Sequence, residues 1–462
     1  MRRPTVLGQP GVVIGLVGSL LAGLTACGNH WSYRPGGWAD PTIHAIGDWV
    51  PELAGRVLMV VGVALLSWGW WGLRGRDVPA ARVLALWSLP LLLVPPVLSA
   101  DAVLYADLGW SVGHGLNPYD VGLATSGGPF AASVDPLWAG NGVAYPPLAL
   151  WASAAAVAIC GAHPYWSIVA QRLPALLGVA LLAWVLPRLA RAVGADGRRA
   201  LWLGLLNPLV VLHFVGGAHN DAPMVGVALL GVWLAVRGGS LLELGERRDG
   251  RARRWVWSLV IAPVVIGVAM ALKQQAGLAV VAVAGLPIAG DLLRASLAKR
   301  LWLLGWRSAV AAAVAGTTFV AISVATGLGF GWTKWLSQMG RTGTAAPFFL
   351  VSWVGEQLLK LNGQDAGPYV HAVELASTLS ILVALALLAW RFADRPLALL
   401  GWGALAVAGL GQALHPWYVA WPVAVLSLVA LTRRQFGWVV ALVIGFVVWN
   451  SIQTVGWASA PA

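Results

Sequence analysis

Residues 308–326, SAVAAAVAGTTFVAISVAT, run for five helical turns without one charged side chain, and comparable apolar runs recur along the whole chain. A stretch of this length matches the hydrocarbon thickness of a bilayer when coiled as a helix. In lipid every backbone N–H and C=O must be satisfied internally, so only helices or closed barrels cross. The runs here are continuous and do not alternate with the period of two that a barrel strand requires. With 59% hydrophobic and 10% charged residues and a mean hydropathy of +0.76, the chain reads as an all-α polytopic integral membrane protein, a single membrane domain over residues 1–462.

The basic residues mark the ends of these runs. Arg2 and Arg3; Arg74, Arg76 and Arg82; Arg188 to Arg199; Arg237 to Arg254; Arg294 to Arg307; Arg391 and Arg395; and Arg433 and Arg434 together hold 23 of the 30 lysines and arginines. Placing every cluster in the cytoplasm satisfies the positive-inside rule, so the net charge of +12 is a topological signal and not a nucleic-acid surface. Threading the apolar runs between the clusters predicts 13 crossings, with the N-terminus cytoplasmic and the C-terminus outside. The third run, residues 83–99, and the fifth, residues 200–215, are taken as ordinary crossings, whereas Tyr145 to Cys160 is read as re-entrant or interfacial. Two external loops follow, residues 100–145 and residues 327–368. The first contains Asp101, Asp107, Asp120 and Asp135 but neither lysine nor arginine, as an exported loop should. Cys27 and Cys160 each lie in apolar sequence and read as small buried residues; the LTAC at Leu24–Cys27 resembles a lipoprotein cleavage site but belongs to an uncleaved first helix.

Ionisable residues at membrane depth are costly and ask for a partner or a task. Four groups of them fall on the external side of this topology. Asp101 stands at the mouth of the third run, where a partly desolvated carboxylate suits a general base. His219, Asn220 and Asp221, after the Gly216–Gly217 pair, offer a proton carrier, an amide and a carboxylate, with helix capping an equally ordinary use for the last two. Lys273, Gln274 and Gln275 suit an anionic phosphate, the lysine by charge and the glutamines as donors. His415, Trp417 and Tyr418 surround Pro416, which is expected to break a helix. Arg172, Lys334 and Arg341 are further cations outside the cytoplasmic clusters, able to hold a lipid-linked phosphate. Four polar groups from distant parts of the chain at one level point to a site beneath the acidic loop.

Asp101 at the mouth of an early span, Tyr105 and Gly109, the G-x-NPY segment Gly115 to Tyr119, YPPL from Tyr145, RLPALLG from Arg172, LNPL through GGAHNDAP from Leu206 to Pro223, the lone Lys273 and HPWYVAWP from His415 form a recognisable set. In these motifs the chain resembles the actinobacterial polyprenol-phosphate-mannose-dependent α-(1→6)-mannosyltransferases of the GT-C superfamily, over most of its length. The resemblance implies a multi-pass plasma-membrane enzyme with its active site outside, a polyprenyl-phosphate-mannose donor and a mannan or glycolipid acceptor. No metal or other cofactor is implied. Carried over, Asp101 becomes the general base and Lys273, with Arg172, offsets charge on the leaving phosphate. His219, Asn220, Asp221, Gln274, His415, Tyr105, Asn117 and Tyr145 become substrate-binding residues. Where the family often has a basic residue before the acid, this chain has Ala100, so no charge partner for Asp101 is implied. Two other readings stand beside this one: a sibling transferase using a polyprenyl-phosphate arabinofuranose or glucose, and a transporter of lipid-linked sugars. The transporter would carry inverted repeats and mid-depth polar residues, which the sequence does not display.

Overall fold

The computed structural model describes residues 6–28, 45, 47–50, 52–136, 138–241, 254–338 and 344–457. The clustered Arg2, Arg3, Arg247, Arg248, Arg251 and Arg253, and the candidate Arg341, lie outside the described residues. The described residues form helices and no strands. In chain order these include α1 (Pro10–Ala26), α2 (Glu52–Gly72), α3 (Ala80–Leu91), α4 (Asp101–Gly113) and α5 (Pro147–Ile159). There follow α6 (Arg172–Val193), α7 (Gly197–Gly204), a π-helical segment Val210–Gly216, α8 (Asp221–Leu241) and α9 (Ala262–Leu272). The last part contributes α10 (Leu297–Ala325), α11 (Pro347–Leu361), α12 (Gly367–Phe392), α13 (Pro396–Leu410), α14 (Pro416–Leu426) and α15 (Arg433–Trp457).

Among the described residues seven helical segments are long and apolar enough to cross a membrane, and the Val210–Gly216 segment with α8 makes an eighth if counted as one broken span. The remaining apolar helices, such as α1, α3, α5, α13 and α14, are shorter than a perpendicular crossing needs. Two departures from the expected runs have clear causes. The third run coils only to Leu91, because Pro95 and Pro96 cannot continue a helix and Leu98 turns with a positive φ of 59°. The fifth is broken: the π-helical segment meets α8 at 109°. Wide π turns of this kind occur often at functional sites.

Helices alternate in direction, so their two ends form two different surfaces. Asp101, Arg172, Asp221, Lys273 and His415 start or finish helices at one end of the bundle. Arg74, Arg191, Arg198, Arg395 and Arg433 stand at or just beyond helix ends at the other. Close helix contacts fix the first end. At Gly178 on α6 a Cβ would sit 2.2 Å from the Pro223 nitrogen and 2.3 Å from the Ala222 carbonyl carbon, so only glycine lets α6 touch the first turn of α8. At Gly109 on α4 a Cβ would lie 2.5 Å from the Ser153 carbonyl carbon of α5. Small residues allow such approach where lipid supplies no hydrophobic drive between helices.

The stretch after α4 is held as a folded cap. Asp107 accepts from the Ala124 N–H at 2.9 Å and the Ser126 hydroxyl at 3.1 Å. Burial pushes the Asp107 carboxyl above the usual carboxylate range, against those two bonds. The Tyr119 hydroxyl donates to the Tyr145 carbonyl at 2.7 Å, and the Trp335 indole donates to the Tyr119 carbonyl at 3.2 Å. The segment Gly331–Gln338 thereby lies against residues 118–121, and the exposed Lys334 meets Asp120 at 3.7 Å.

Candidate active site

The break between the π-helical segment and α8 brings the first two polar groups together. Val97 N–H donates to the Gly216 carbonyl at 3.1 Å, tying the chain entering α4 to the bend. Arg172, 2% exposed, completes the tie. Its Nε donates to the Val215 carbonyl at 3.1 Å, and its Nη2 to the Gly216 and Pro95 carbonyls at 2.8 and 3.0 Å. These carbonyls lose helical partners where the chain bends, and a planar guanidinium satisfies several at once. Arg172 is therefore committed to the backbone of the bend through Nε and Nη2, while its Nη1 is buried with no hydrogen-bond partner among the described residues. Ala218, at φ 58°, completes the turn and presents His219.

Asp101 opens α4 with its side chain 19% exposed. His219, with no exposed surface, places Nδ1 3.4 Å from Asp101 Oδ2. Its ring lies flat against Trp417, with centroids 3.7 Å apart and planes 17° apart, and His415 stacks on the same indole at 4.6 Å. The partner of Asp101 that the sequence left open is thus an imidazole from a segment 118 positions onward. Tyr105, one turn along α4, donates to Asp101 Oδ2 at 3.3 Å and stands 3.4 Å from the Tyr145 hydroxyl.

Burial alone would raise the Asp101 carboxyl, but the His219 contact, with His415 and Lys273 nearby, brings it down to about 2. An unpaired and unusually basic Asp101, the expectation from an arginine-free loop, is replaced by a paired carboxylate ionised throughout the working range. Burial, followed by Tyr145 and Asp101, pushes the Tyr105 hydroxyl well above the ordinary phenol range and keeps it a donor. Burial brings His415 down to about 4, leaving a neutral imidazole.

Lys273 ends α9 and Asp221 begins α8; their Nζ–Oδ2 distance is 2.7 Å, with side chains 2% and 3% exposed. The ammonium also lies 4.4 Å from the Tyr418 ring centroid and 5.9 Å from that of Tyr145. The lysine read as a free phosphate ligand is already neutralised, and Asp221 serves as its counter-ion. Two of its three N–H directions remain for other acceptors. Asn220 is buried beside them. Gln274 and Gln275 border a cavity of about 280 Å³ with Asp221, Tyr418 and Gln412, walled on the apolar side by Leu336, Ile381 and Val407. Oε1 of each of these two glutamines is buried with no hydrogen-bond partner among the described residues.

Of the sequence candidates, Asp101, Tyr105, Tyr145, His219, Asp221, Lys273 and His415 meet in one connected cluster. Asn117 does not: its Oδ1 accepts from the Tyr119 N–H and caps the short helix Pro118–Val121. His213 was missed. It is fully buried on the π turn, 5.8 Å from His219 and 5.6 Å from Trp417 between ring centroids. Its signal was a lone imidazole in the apolar run VVLHFVGG.

A reachable carboxylate, a fixed imidazole behind it, a phenol donor and a buried ammonium beside an apolar cavity suit proton removal from a hydroxyl next to an anionic, lipid-bearing group. Comparison with known proteins gives the family. Residues 12–289 match the N-terminal domain of the alpha-(1->6)-mannopyranosyltransferases, and residues 344–452 the MptB C-terminal domain. Alpha-(1->6)-mannopyranosyltransferase A of Mycobacterium tuberculosis is 30% identical over 480 residues, covering 96% of this chain and 83% of its own. A Mycolicibacterium smegmatis protein described as a probable alpha-(1->6)-mannopyranosyltransferase is 29% identical over 469 residues, covering 94% of this chain and 80% of its own. Among solved structures, ArnT from Cupriavidus metallidurans bound to undecaprenyl phosphate aligns with a TM-score of 0.40 at 16% identity, over 83% of this chain and 62% of that one. On the length and identity of the sequence matches, the chain belongs to the MptA/MptB family of alpha-(1->6)-mannopyranosyltransferases, and it is a membrane-embedded mannosyltransferase.

Proposed function

We propose that the protein moves mannose from polyprenyl-phosphate-mannose to the 6-hydroxyl of a mannan or glycolipid acceptor, at the external face of the plasma membrane, with inversion. The acceptor O6 attacks the anomeric carbon, the bond from that carbon to the phosphate oxygen breaks, and polyprenyl phosphate leaves. The proton of the 6-hydroxyl passes to Asp101. Asp101 is the member of the acid–imidazole pair that a substrate can reach, whereas His219 is enclosed by Trp417 and orients the carboxylate. A base held near 2 takes its proton late, as the new C–O bond depletes the oxygen of charge. Tyr105 and His219 both hold Oδ2 of the carboxylate, which leaves Oδ1 to take the proton, and neutral His415 meets a sugar hydroxyl.

Charge growing on the leaving phosphate is met by Lys273, whose attraction to it is strong in so dry a setting. The polyprenyl chain lies along the apolar wall of the 280 Å³ cavity, with Gln274 donating to the donor's polar head. A separate cavity of about 650 Å³ holds Phe349, Trp353, Glu356 and Glu374 and shares Gln412 with the first. Aromatic faces beside carboxylates suit a glycan acceptor, so we place the acceptor's preceding residues there. The reading uses no metal, and it puts the arginine-rich end of the bundle in the cytoplasm.

The observation that carries this reading is the Asp101–His219 pair near the buried Lys273–Asp221 pair, whose Asp221 borders the 280 Å³ cavity. Membranes bearing the protein are assayed with radiolabelled polyprenyl-phosphate-mannose, -arabinofuranose and -glucose and an α-mannoside acceptor. Mannose alone is transferred, unaffected by EDTA; transfer of another sugar in its place would refute the donor assignment.

A further inference from the structure

The opposite end of the bundle carries a further cavity, of about 940 Å³, bordered by the end of α2, the turn into α7 and the start of α15. Its distance from the catalytic cluster follows from α6, whose 22 residues start at Arg172 in the site and end just before that turn. At 1.5 Å per residue this is about 33 Å, a bilayer's hydrocarbon thickness.

Arg74, Arg198, Arg199 and Arg433 line it, and the single acid on its wall is Asp196. One oxygen of that carboxylate already accepts from the Arg198 and Arg199 backbone N–H groups at 2.9 and 3.3 Å. The cations are held in place. Arg199 is anchored through Nε and Nη2 to the Ser427 and Val429 carbonyls at 3.3 and 2.8 Å. Arg74 lies over the faces of Trp71 and Phe436, at 5.0 and 4.7 Å from the ring centroids. Stacking occupies the guanidinium faces and leaves N–H edges free for a bidentate acceptor. Among the described residues no salt bridge reaches Arg74, Arg198 or Arg433. The wall beyond the arginines is apolar, made by Val440, Ala441 and Ile444 as α15 enters the membrane.

We propose that this cavity binds an anionic phospholipid of the leaflet at the arginine end, its phosphate ester between the guanidinium groups and an acyl chain along α15. Four cations against one committed carboxylate call for a phosphate, and the apolar wall distinguishes a lipid-borne phosphate from a free one. The site is independent of the donor and acceptor reading, being on the other membrane face and remote from the reacting atoms.

The test is native mass spectrometry of the full-length protein released from detergent, titrated with phosphatidylglycerol or phosphatidylcholine. Binding of phosphatidylglycerol is expected to exceed that of phosphatidylcholine by about tenfold, because only the first keeps a net negative headgroup for the arginines to hold. Arg198→Gln with Arg433→Gln removes this preference by charge, and Ala441→Trp removes it by filling the apolar wall. Both variants retain mannosyl transfer in detergent, which shows that they are folded. Equal retention of the two lipids by the parent, or unchanged preference in both variants, would overturn the site. Displacement of the lipid by glycerol phosphate at equal concentration would overturn the lipid and leave only an anion.

Discussion

The two ends of the bundle handle charge in opposite ways. At the catalytic end the ionic groups are few, buried and partnered within the chain: Asp101 with His219, Lys273 with Asp221, and Arg172 with three carbonyls. At the other end the cations are many and exposed, and most of their fixed partners are backbone carbonyls and aromatic rings. A buried charge is tolerated only with a partner in place, so the first end is specified pair by pair. An exposed arginine is solvated and needs none, so the second end is specified by count and placement. Damage to one member should therefore be costly at the catalytic end and slight at the arginine end.

Replacement of Asp101 by Asn is the sharpest break. It removes the proposed proton acceptor and preserves shape, so mannosyl transfer should fall by about 10² to 10⁴. The thermal unfolding midpoint in detergent should fall as well, because the change removes the carboxylate whose depressed pKa contributes stability. A variant near the parent rate would remove Asp101 from the chemistry.

Lys273→Met comes next and should act first through stability. It strands the Asp221 carboxylate in a dry environment, a loss of about 3–5 kcal/mol for a buried pair broken on one side. Adding Asp221→Asn should return much of the stability without returning activity, because the charge facing the leaving phosphate stays absent. If the double variant recovered both, Lys273 would be structural only.

The pairing at Asp101 also sets a pH signature. A base works only while unprotonated, and with the carboxyl held at about 2 the acid limb of kcat/KM should lie well below the ordinary carboxylate value. His219→Gln removes the contact that lowers it while burial still raises it, so the limb should move to higher pH. The stability that the depressed pKa contributes is present above the ordinary carboxylate value and is lost as pH falls towards about 2. A limb that stays in place in His219→Gln would show that His219 does not govern the base.

Much of this contrast was legible in the sequence. Apolar runs and arginine clusters are local signals set by the lipid, so the all-helical class and the two-sided arrangement could be read directly. The site residues stood out because polar groups are rare in apolar runs, and GGAHNDAP and ALKQQAG announced themselves. Their pairing was not legible, because it depends on a 109° bend and on Gly178, which sets how closely α6 approaches α8. Lys273 looked free because Asp221 is 52 positions away. Arg172 looked like a phosphate ligand because nothing in the sequence marks which carbonyls a bend will release. His213 went unnoticed because a single imidazole gains meaning only from the ring beside it.

The smallest effect belongs to the exposed contact joining residues 118–121 to the segment Gly331–Gln338. Lys334 and Asp120 approach to 3.7 Å with side chains 68% and 61% exposed, where solvent screens most of the attraction. Lys334→Ala should change stability by no more than about 0.5 kcal/mol, and less in high salt. The same loop junction also contains the Trp335 indole bond to the Tyr119 carbonyl and the ring pressed onto Gly142. Trp335→Ala should therefore loosen the cap where Lys334→Ala does not, seen as faster amide hydrogen exchange around residues 118–123. Equal exchange in the two variants would mean that the cap is held from within, by Asp107 and Tyr119, and not by the second segment.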